Sequence, residues 1–435
     1  MASFVTVKLA DCVDLLAGFA FKSKHFTDKP EDIPLVKGEN VSQGCILWDI
    51  SKRWSAADWP NLEKYHLRAG DVVVAMDRPW VPAGLKWAYI RSDDPRALLV
   101  QRCSRLRSNT PQLDQDFLRF VIGGPGFESY VIPITTGVNV PHISGKQILD
   151  YEFVLPPLPI QRRIAGILSA YDELIENSQR RIRILESMAR ALYREWFVHF
   201  RFPGHESVPR VRSSLGEIPQ GWEVKKLGAI ISTHIGGGWG KEAPDGEHTE
   251  PAWVIRGTDI PDARYSQTAG VPHRVHTASN LRSRRLLAGD IVFEVSGGSK
   301  GQPVGRTLLI TPELLASLGG DVICASFCKR VQPDIEGYGS ELLYLSFLEG
   351  YESGEIEQYQ VQSTGISNFK WTEYIANTVR VVPPDALRSE FRGHVAPLFT
   401  QIATLGRQIQ NFRRTRDLLL PRLLSGQIDV EVQIA

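Results

Sequence analysis

The sequence predicts an α+β protein: two strand-rich domains separated by two long antiparallel coiled-coil helices in a pseudo-two-fold arrangement. Three observations predict it. The chain carries the same landmarks twice, in the same order. Each copy changes periodicity part-way, from short strands to a heptad. Each heptad run begins behind a double proline.

The duplication is read directly. Leu67-Arg68-Ala69-Gly70-Asp71-Val72-Val73 returns as Leu286-Leu287-Ala288-Gly289-Asp290-Ile291-Val292, and Val36-Lys37-Gly38 returns as Ile255-Arg256-Gly257. Thr136-Gly137-Val138 and Pro156-Pro157 return as Thr364-Gly365-Ile366 and Pro383-Pro384. The period is too long for a solenoid, so these are duplicated domains. A chain of 435 residues, 43% hydrophobic and with a formal charge of +1, can bury two or three cores. It shows neither a secretory leader nor a membrane-spanning run, and its five cysteines include no CxxC pair. Reduced core thiols in a cytoplasmic protein are the expectation.

The first part of each copy consists of β-branched runs such as Asp71-Val72-Val73-Val74-Ala75 and Asp290-Ile291-Val292-Phe293, punctuated by glycine and proline. That pattern predicts strands with long loops between them. The second part predicts a helix. From Ile164 the seam positions are Leu168, Tyr171, Ile175, Ser178, Ile182, Leu185, Ala189, Leu192 and Trp196, with gaps alternating between four and three. The matching positions in the second copy are Phe391, Val395, Leu398, Ile402, Leu405, Ile409, Phe412, Arg416, Leu419 and Leu423. Ser178 and Arg416 are the breaks. Pro156-Pro157-Leu158-Pro159 and Pro383-Pro384-Asp385 mark the starts, because proline's missing N–H costs nothing in a first turn. Phe202-Pro203-Gly204 and Ser425-Gly426 mark the ends, with Pro421 expected to bend or stop the second helix slightly earlier. Rods of about 50 Å with one apolar stripe need a partner, and each helix is the other's nearest candidate. The expected divisions are residues 1–155, 156–205, 206–382 and 383–435.

No catalytic set emerges. In Ile235-Gly236-Gly237-Gly238-Trp239-Gly240-Lys241-Glu242 the first glycine of a phosphate loop is replaced by Ile235, and Glu242 stands where Ser or Thr would bind magnesium. Gly297-Gly298-Ser299-Lys300-Gly301 lacks the strand–helix setting of a dinucleotide site. His273 and His276 have no ligand partner at metal spacing, so no metal is expected.

The junction Tyr151-Glu152-Phe153-Val154-Leu155-Pro156-Pro157-Leu158-Pro159-Ile160-Gln161-Arg162-Arg163-Ile164 resembles that of type I restriction–modification specificity subunits. Ile160 departs from the family's commoner glutamate. Pro219-Gln220-Gly221-Trp222 and Leu420-Pro421-Arg422-Leu423-Leu424-Ser425-Gly426 resemble the family's second-domain entry and distal helix end. The resemblance implies two target-recognition domains, each reading half of a split, asymmetric site in double-stranded DNA. It implies helices that fix the gap and dock two methylation subunits, through which restriction subunits join. It places S-adenosylmethionine, ATP and magnesium in those partners, and no cofactor or catalysis in this chain. Two alternatives are an adaptor giving DNA specificity to another phage-defence or modification complex, and a two-domain protein scaffold that binds no DNA.

Basic and polar side chains on matched loops are the candidate DNA contacts. Arg78 and Lys86 flank Trp80 in the first copy, and Lys300 and Arg306 stand at the comparable place in the second. Arg102, Arg105 and Arg107 follow one strand, with Lys329 and Arg330 as counterparts. Asn139, His142 and Lys146, and then Ser367, Asn368 and Lys370, lie on paired polar loops before the last strand. Arg180, Arg181, Arg183, Arg190 and Arg194 suit either a solvated helix face or contact with DNA or partner. Tyr193, Trp196 and Phe197 suit a packing cap or a partner anchor.

Overall fold

A computed structural model describes residues 5–136, 141–297, 303–334, 336–363 and 366–430. It divides into two compact units, one of residues up to Glu173 together with those from Arg413 onward, the other Leu174–Phe412.

In the first unit the domain opens and closes on one ribbon, with Val5–Lys8 antiparallel to Glu152–Leu155. Between them a sheet runs in the order Val13–Ala17, Cys103–Ser108, Val72–Ala75, Trp87–Tyr89, Gln43–Gly44. Val72–Ala75 is buried along its whole length, which is why its sequence is continuously apolar and not alternating. A second sheet has the order Arg53–Trp54, Ile33–Val36, Ala97–Leu99, His66–Leu67. Helix Gln115–Ile122 buries Phe117 and Leu118, and Asp114 caps it by accepting from the backbone N–H groups of Asp116 and Phe117.

The second unit repeats the plan. Glu223–Lys226 pairs antiparallel with Val379–Val382. Its main sheet has the order Ile231–Gly236, Cys328–Pro333, Ile291–Glu294, Thr307–Leu309, matching the first four of the five strands in the first unit's sheet. Helix Ser340–Glu352 takes the place of Gln115–Ile122 and is buried over most of its length. A further small sheet joins Ser296–Gly297, Ile366–Phe369 and Gln360–Ser363.

The duplicated Leu-x-Ala-Gly-Asp turn has a physical cause. Gly70 and Gly289 hold φ of 91° and 90°, a left-handed backbone that favours glycine. Asp71 accepts from the Arg68 backbone N–H at 2.8 Å and pairs with Arg107. Asp290 accepts from the Leu287 N–H at 2.8 Å and from Arg330 Nε at 2.7 Å. In each domain a buried carboxylate ties a turn to an arginine on the neighbouring strand.

The two long helices are Leu158–Tyr193, continued by a wide turn over Arg194–Val198, and Asp385–Leu424. Every seam position is buried or half-buried. Within the second unit Ile175 and Ile182 share a core with Ile402, Leu405 and Ile409. Trp196 meets Phe391 at 5.6 Å, so the late end of one helix faces the early end of the other. In the first unit Leu168 shares a core with Leu419 and Leu423. The pair is therefore antiparallel in both. Pro421 lies inside the distal helix without ending it; the left-handed Gly426, φ 73°, follows its end. Ser178 satisfies its buried hydroxyl by donating to the carbonyl of Leu174 at 2.7 Å.

Candidate nucleic-acid interface

In the first domain three segments far apart in sequence meet around Asp77. Met76 N–H donates to Arg102 O at 2.8 Å, Arg78 N–H to Pro141 O at 2.6 Å, and Ile143 N–H to Met76 O at 2.9 Å. This brings Arg78, Arg102 and His142 onto one patch. The Arg102 guanidinium donates to both Asp77 carboxylate oxygens at 2.9 and 3.0 Å. His142 Nδ1 lies 3.5 Å from the same carboxylate without a hydrogen bond. Arg78 is exposed and pairs with no carboxylate among the described residues. Only four described non-glycine residues have positive φ, and Arg78 (45°) and Arg102 (68°) are two of them. Left-handed backbone at a non-glycine residue costs free energy and concentrates at functional sites. Lys146 stands exposed on the adjoining helix Gly145–Leu149. Beside the patch a hairpin pairs Trp80 with Leu85, and Trp80 Nε1 donates to Glu128 at 2.7 Å. Asp77 and Glu128, which hold this surface in shape, carried no sequence signal.

In the second domain Ser367 and Asn368 lie on the strand opposite Ser296–Gly297, where the Ser296 hydroxyl donates to Asn368 Oδ1 at 2.7 Å. Asn368 and Lys370 are exposed, Lys370 standing 3.2 Å from Glu373. Asn139 and Lys300 lie outside the described residues.

Four expected contacts are occupied inside the domains and leave the candidate surface. Arg105 is 6% exposed and pairs with Asp14 at 3.2 Å. Arg306 makes two bonds to Glu294, itself 1% exposed, the longer at 2.8 Å. Arg330 is 8% exposed and holds Asp290. Lys86 donates to the carbonyl of Gly38, and burial pushes its pKa down. A cation drawn into a fold and held there is kept away from a phosphate at the surface. On the central helix Arg190 pairs with Glu352, and Arg194 with Glu349 at 2.6 Å and Glu352 at 2.9 Å, whereas Arg180, Arg181 and Arg183 are exposed. Tyr193, Trp196 and Phe197 are buried in the second unit's core. They are a packing cap.

In the glycine run at 236–238 the middle residue is required by packing. A methyl on Gly237 would overlap the carbonyl oxygens of Cys324 and Ala325, just as one on Gly18 would overlap that of Val100. The segment is the second domain's version of Ala17-Gly18-Phe19, pressed against a neighbouring strand, and it forms no phosphate cradle. The junction glutamine is equally structural. Gln161 is wholly buried; its amide donates to Gln112 O and Pro156 O, both at 2.7 Å, and its oxygen accepts from Asp114 N–H at 2.8 Å. In the second copy Arg388 reaches Pro383 O at 3.0 Å from the matching position.

Known proteins share this architecture. A sequence model of the family described as the type I restriction modification DNA specificity domain matches residues 1–187. The chain is 26% identical over 322 residues to the type I restriction enzyme MjaIX specificity subunit of Methanocaldococcus jannaschii, covering 73% of this chain and 69% of that one. It is 31% identical over 169 residues to the type I restriction enzyme EcoAI specificity subunit of Escherichia coli, covering 39% of this chain and 28% of the other. The solved S subunit of a type I restriction–modification system from M. genitalium has the same fold, with a TM-score of 0.56 at 14% identity over 97% of this chain and 96% of that one. In fold and in sequence the chain is similar to specificity proteins of DNA restriction and modification. The family model, which spans residues 1–187, and these relatives make the chain similar to the type I specificity subunits. No helix among the described residues is long and apolar enough to cross a membrane.

Proposed function

We propose that each strand-rich domain reads one half of a bipartite, asymmetric site in double-stranded DNA, and that the helix pair sets the gap between the halves. The observation that carries this reading is the difference between what the copies keep and what they change. The ribbon, the Asp71 and Asp290 turns, the strand order and the heptad seam recur. The surfaces around Arg78 and around Asn368 do not. One frame with two unlike surfaces suits two different half-sites, since base-edge contacts specify while phosphate contacts position.

On this reading residues 1–155 and 206–382 are the target-recognition domains, and 156–205 and 383–435 are the spacer and docking helices. Arg78, Arg102, His142 and Lys146 face the first half-site; Ser367, Asn368 and Lys370 face the second. Two methylation subunits dock on the helices and bring S-adenosylmethionine, and restriction subunits join through them with ATP and magnesium. This chain catalyses no step. It fixes where the partners act.

Mapping methylated adenines across a genome carrying the assembled complex tests the reading. A split motif with one constant gap is the expected result. A contiguous motif, or binding to random duplexes without sequence preference at every salt concentration, rejects it.

A further inference from the structure

A heptad seam repeats every seven residues, so its apolar side chains do not by themselves fix how far one helix lies along the other. Contacts other than those apolar side chains complete the alignment. In the second unit one loop of the domain, Arg264–Ser266, touches both helices at one level. Tyr265 Oη donates to Glu186 Oε2 on the central helix at 2.9 Å, and Arg264 lies 3.9 Å from the same carboxylate. On the distal helix the Gln410 amide donates to Ser266 O. One turn earlier on that helix, Gly406 lies so close to the Tyr265 carbonyl that a methyl at residue 406 would overlap it.

The seat is built for this loop. Ser266 is 1% exposed and holds a φ of 57°, a left-handed backbone that serine adopts at a cost. Gly406 lies deep inside a helix of 40 residues, where glycine is the least favourable residue apart from proline. Its missing side chain admits the Tyr265 carbonyl. The matching position on the central helix is Gln179, so the first copy has no such notch.

We infer that the Arg264–Ser266 loop is a positioning strut, which sets where the second domain stands along the helix pair and hence which gap length the protein accepts. The inference rests on the reading of the helices as the spacer. Glu186, Gly406 and Gln410 are then positioning residues that select a gap without touching DNA.

The test uses the full chain assembled with its methylation subunits, in a genome otherwise free of adenine methylation. The wild type is expected to mark one split motif with one gap. Gly406→Ala pushes Tyr265 off the distal helix, and Gln410→Ala removes the amide but keeps the notch. Both are expected to keep the two half-site sequences while raising methylation of motifs one base pair longer or shorter by about tenfold or more. A single unchanged gap in both variants overturns the strut, whatever happens to their melting temperatures. Altered bases in either half-site overturn it as well, because the loop would then read and not position. If Gly406→Ala does not assemble, Gln410→Ala decides alone. A chain shortened by one heptad in each helix separates the two readings. An unchanged gap there removes the spacer itself, whereas a shortened gap there beside unchanged gaps in both point variants removes only the strut.

Discussion

Arg416, the charged break in the distal seam, is answered by Asp172 of the central helix at 2.7 Å. Asp172 also accepts from Arg119, the fifth residue of helix Gln115–Ile122, at 3.2 Å. The second unit builds the same three-way contact without charge. Phe399 stands at the position matching Asp172, Ala189 at that matching Arg416, and Tyr344 is the fifth residue of Ser340–Glu352. Tyr344 and Phe399 meet edge to face at 5.7 Å. One contact is ionic in one copy and aromatic in the other.

Asp172→Ala should therefore leave Arg119 without its carboxylate and Arg416 with only the exposed Asp417. Side-chain exposures of 26% for Asp172, 14% for Arg119 and 30% for Arg416 put the cost between surface and buried pairs, about 2 kcal/mol. The triple variant Arg119→Tyr, Asp172→Phe, Arg416→Ala imports the second unit's solution and should recover most of that loss in urea melts. A triple variant no more stable than Asp172→Ala would show that the two contacts are not equivalent.

The paired turns make a second prediction. Asp71 is 1% exposed and Asp290 3%, and each serves one backbone N–H and one arginine. Asn at either position should cost about 1.5–3 kcal/mol, the range for hydrogen bonds to charged groups. Because they sit in different units, the double variant should lose the sum of the two in denaturant melts.

The sequence disclosed the helices well because a heptad seam is a local pattern that needs no knowledge of the partner. The recurrence of Leu-x-Ala-Gly-Asp was equally visible, but its cause was not, since Asp71 and Arg107 meet only after the sheet forms. The same limit explains the basic residues misassigned to the surface. Arg306 and Arg330 look like free cations until the chain brings Glu294 and Asp290 against them. Gly18 and Gly237 escaped matching because their flanking residues differ; only a shared close approach to a neighbouring backbone identifies them.

His276 predicts a pH response. It is 1% exposed, and its Nε2 has no hydrogen-bond partner among the described residues. Burial first, and then the charge of His248, hold its pKa below the ordinary 6.5. Between that lowered value and 6.5 the unfolded chain binds more protons than the folded one, so stability rises with pH through the window and falls as pH drops below 6.5. His234 is lowered in the same direction, by burial and then by Lys329. Urea midpoints should be lower at about pH 5.5 than at about pH 7.5, and His276→Gln should shrink the difference. An equal difference in that variant would remove His276 as its source.

Arg78 separates a reading role from a structural one. Its left-handed φ of 45° is a conformation glycine adopts freely, so Arg78→Gly should raise the first domain's stability by about 1 kcal/mol. If the guanidinium serves DNA, the same variant should lose about tenfold or more in affinity for the cognate duplex. Loss confined to one base position of one half-site would mark a base contact. Loss that is uniform across sequences, with the salt slope shallower by about one, would mark a phosphate contact. Arg306→Ala provides the contrast: it strands the buried Glu294 and should cost about 3 kcal/mol of folding stability. A more stable Arg78→Gly protein that binds DNA as the wild type does would remove Arg78 from the reading surface and leave its strained backbone without a function.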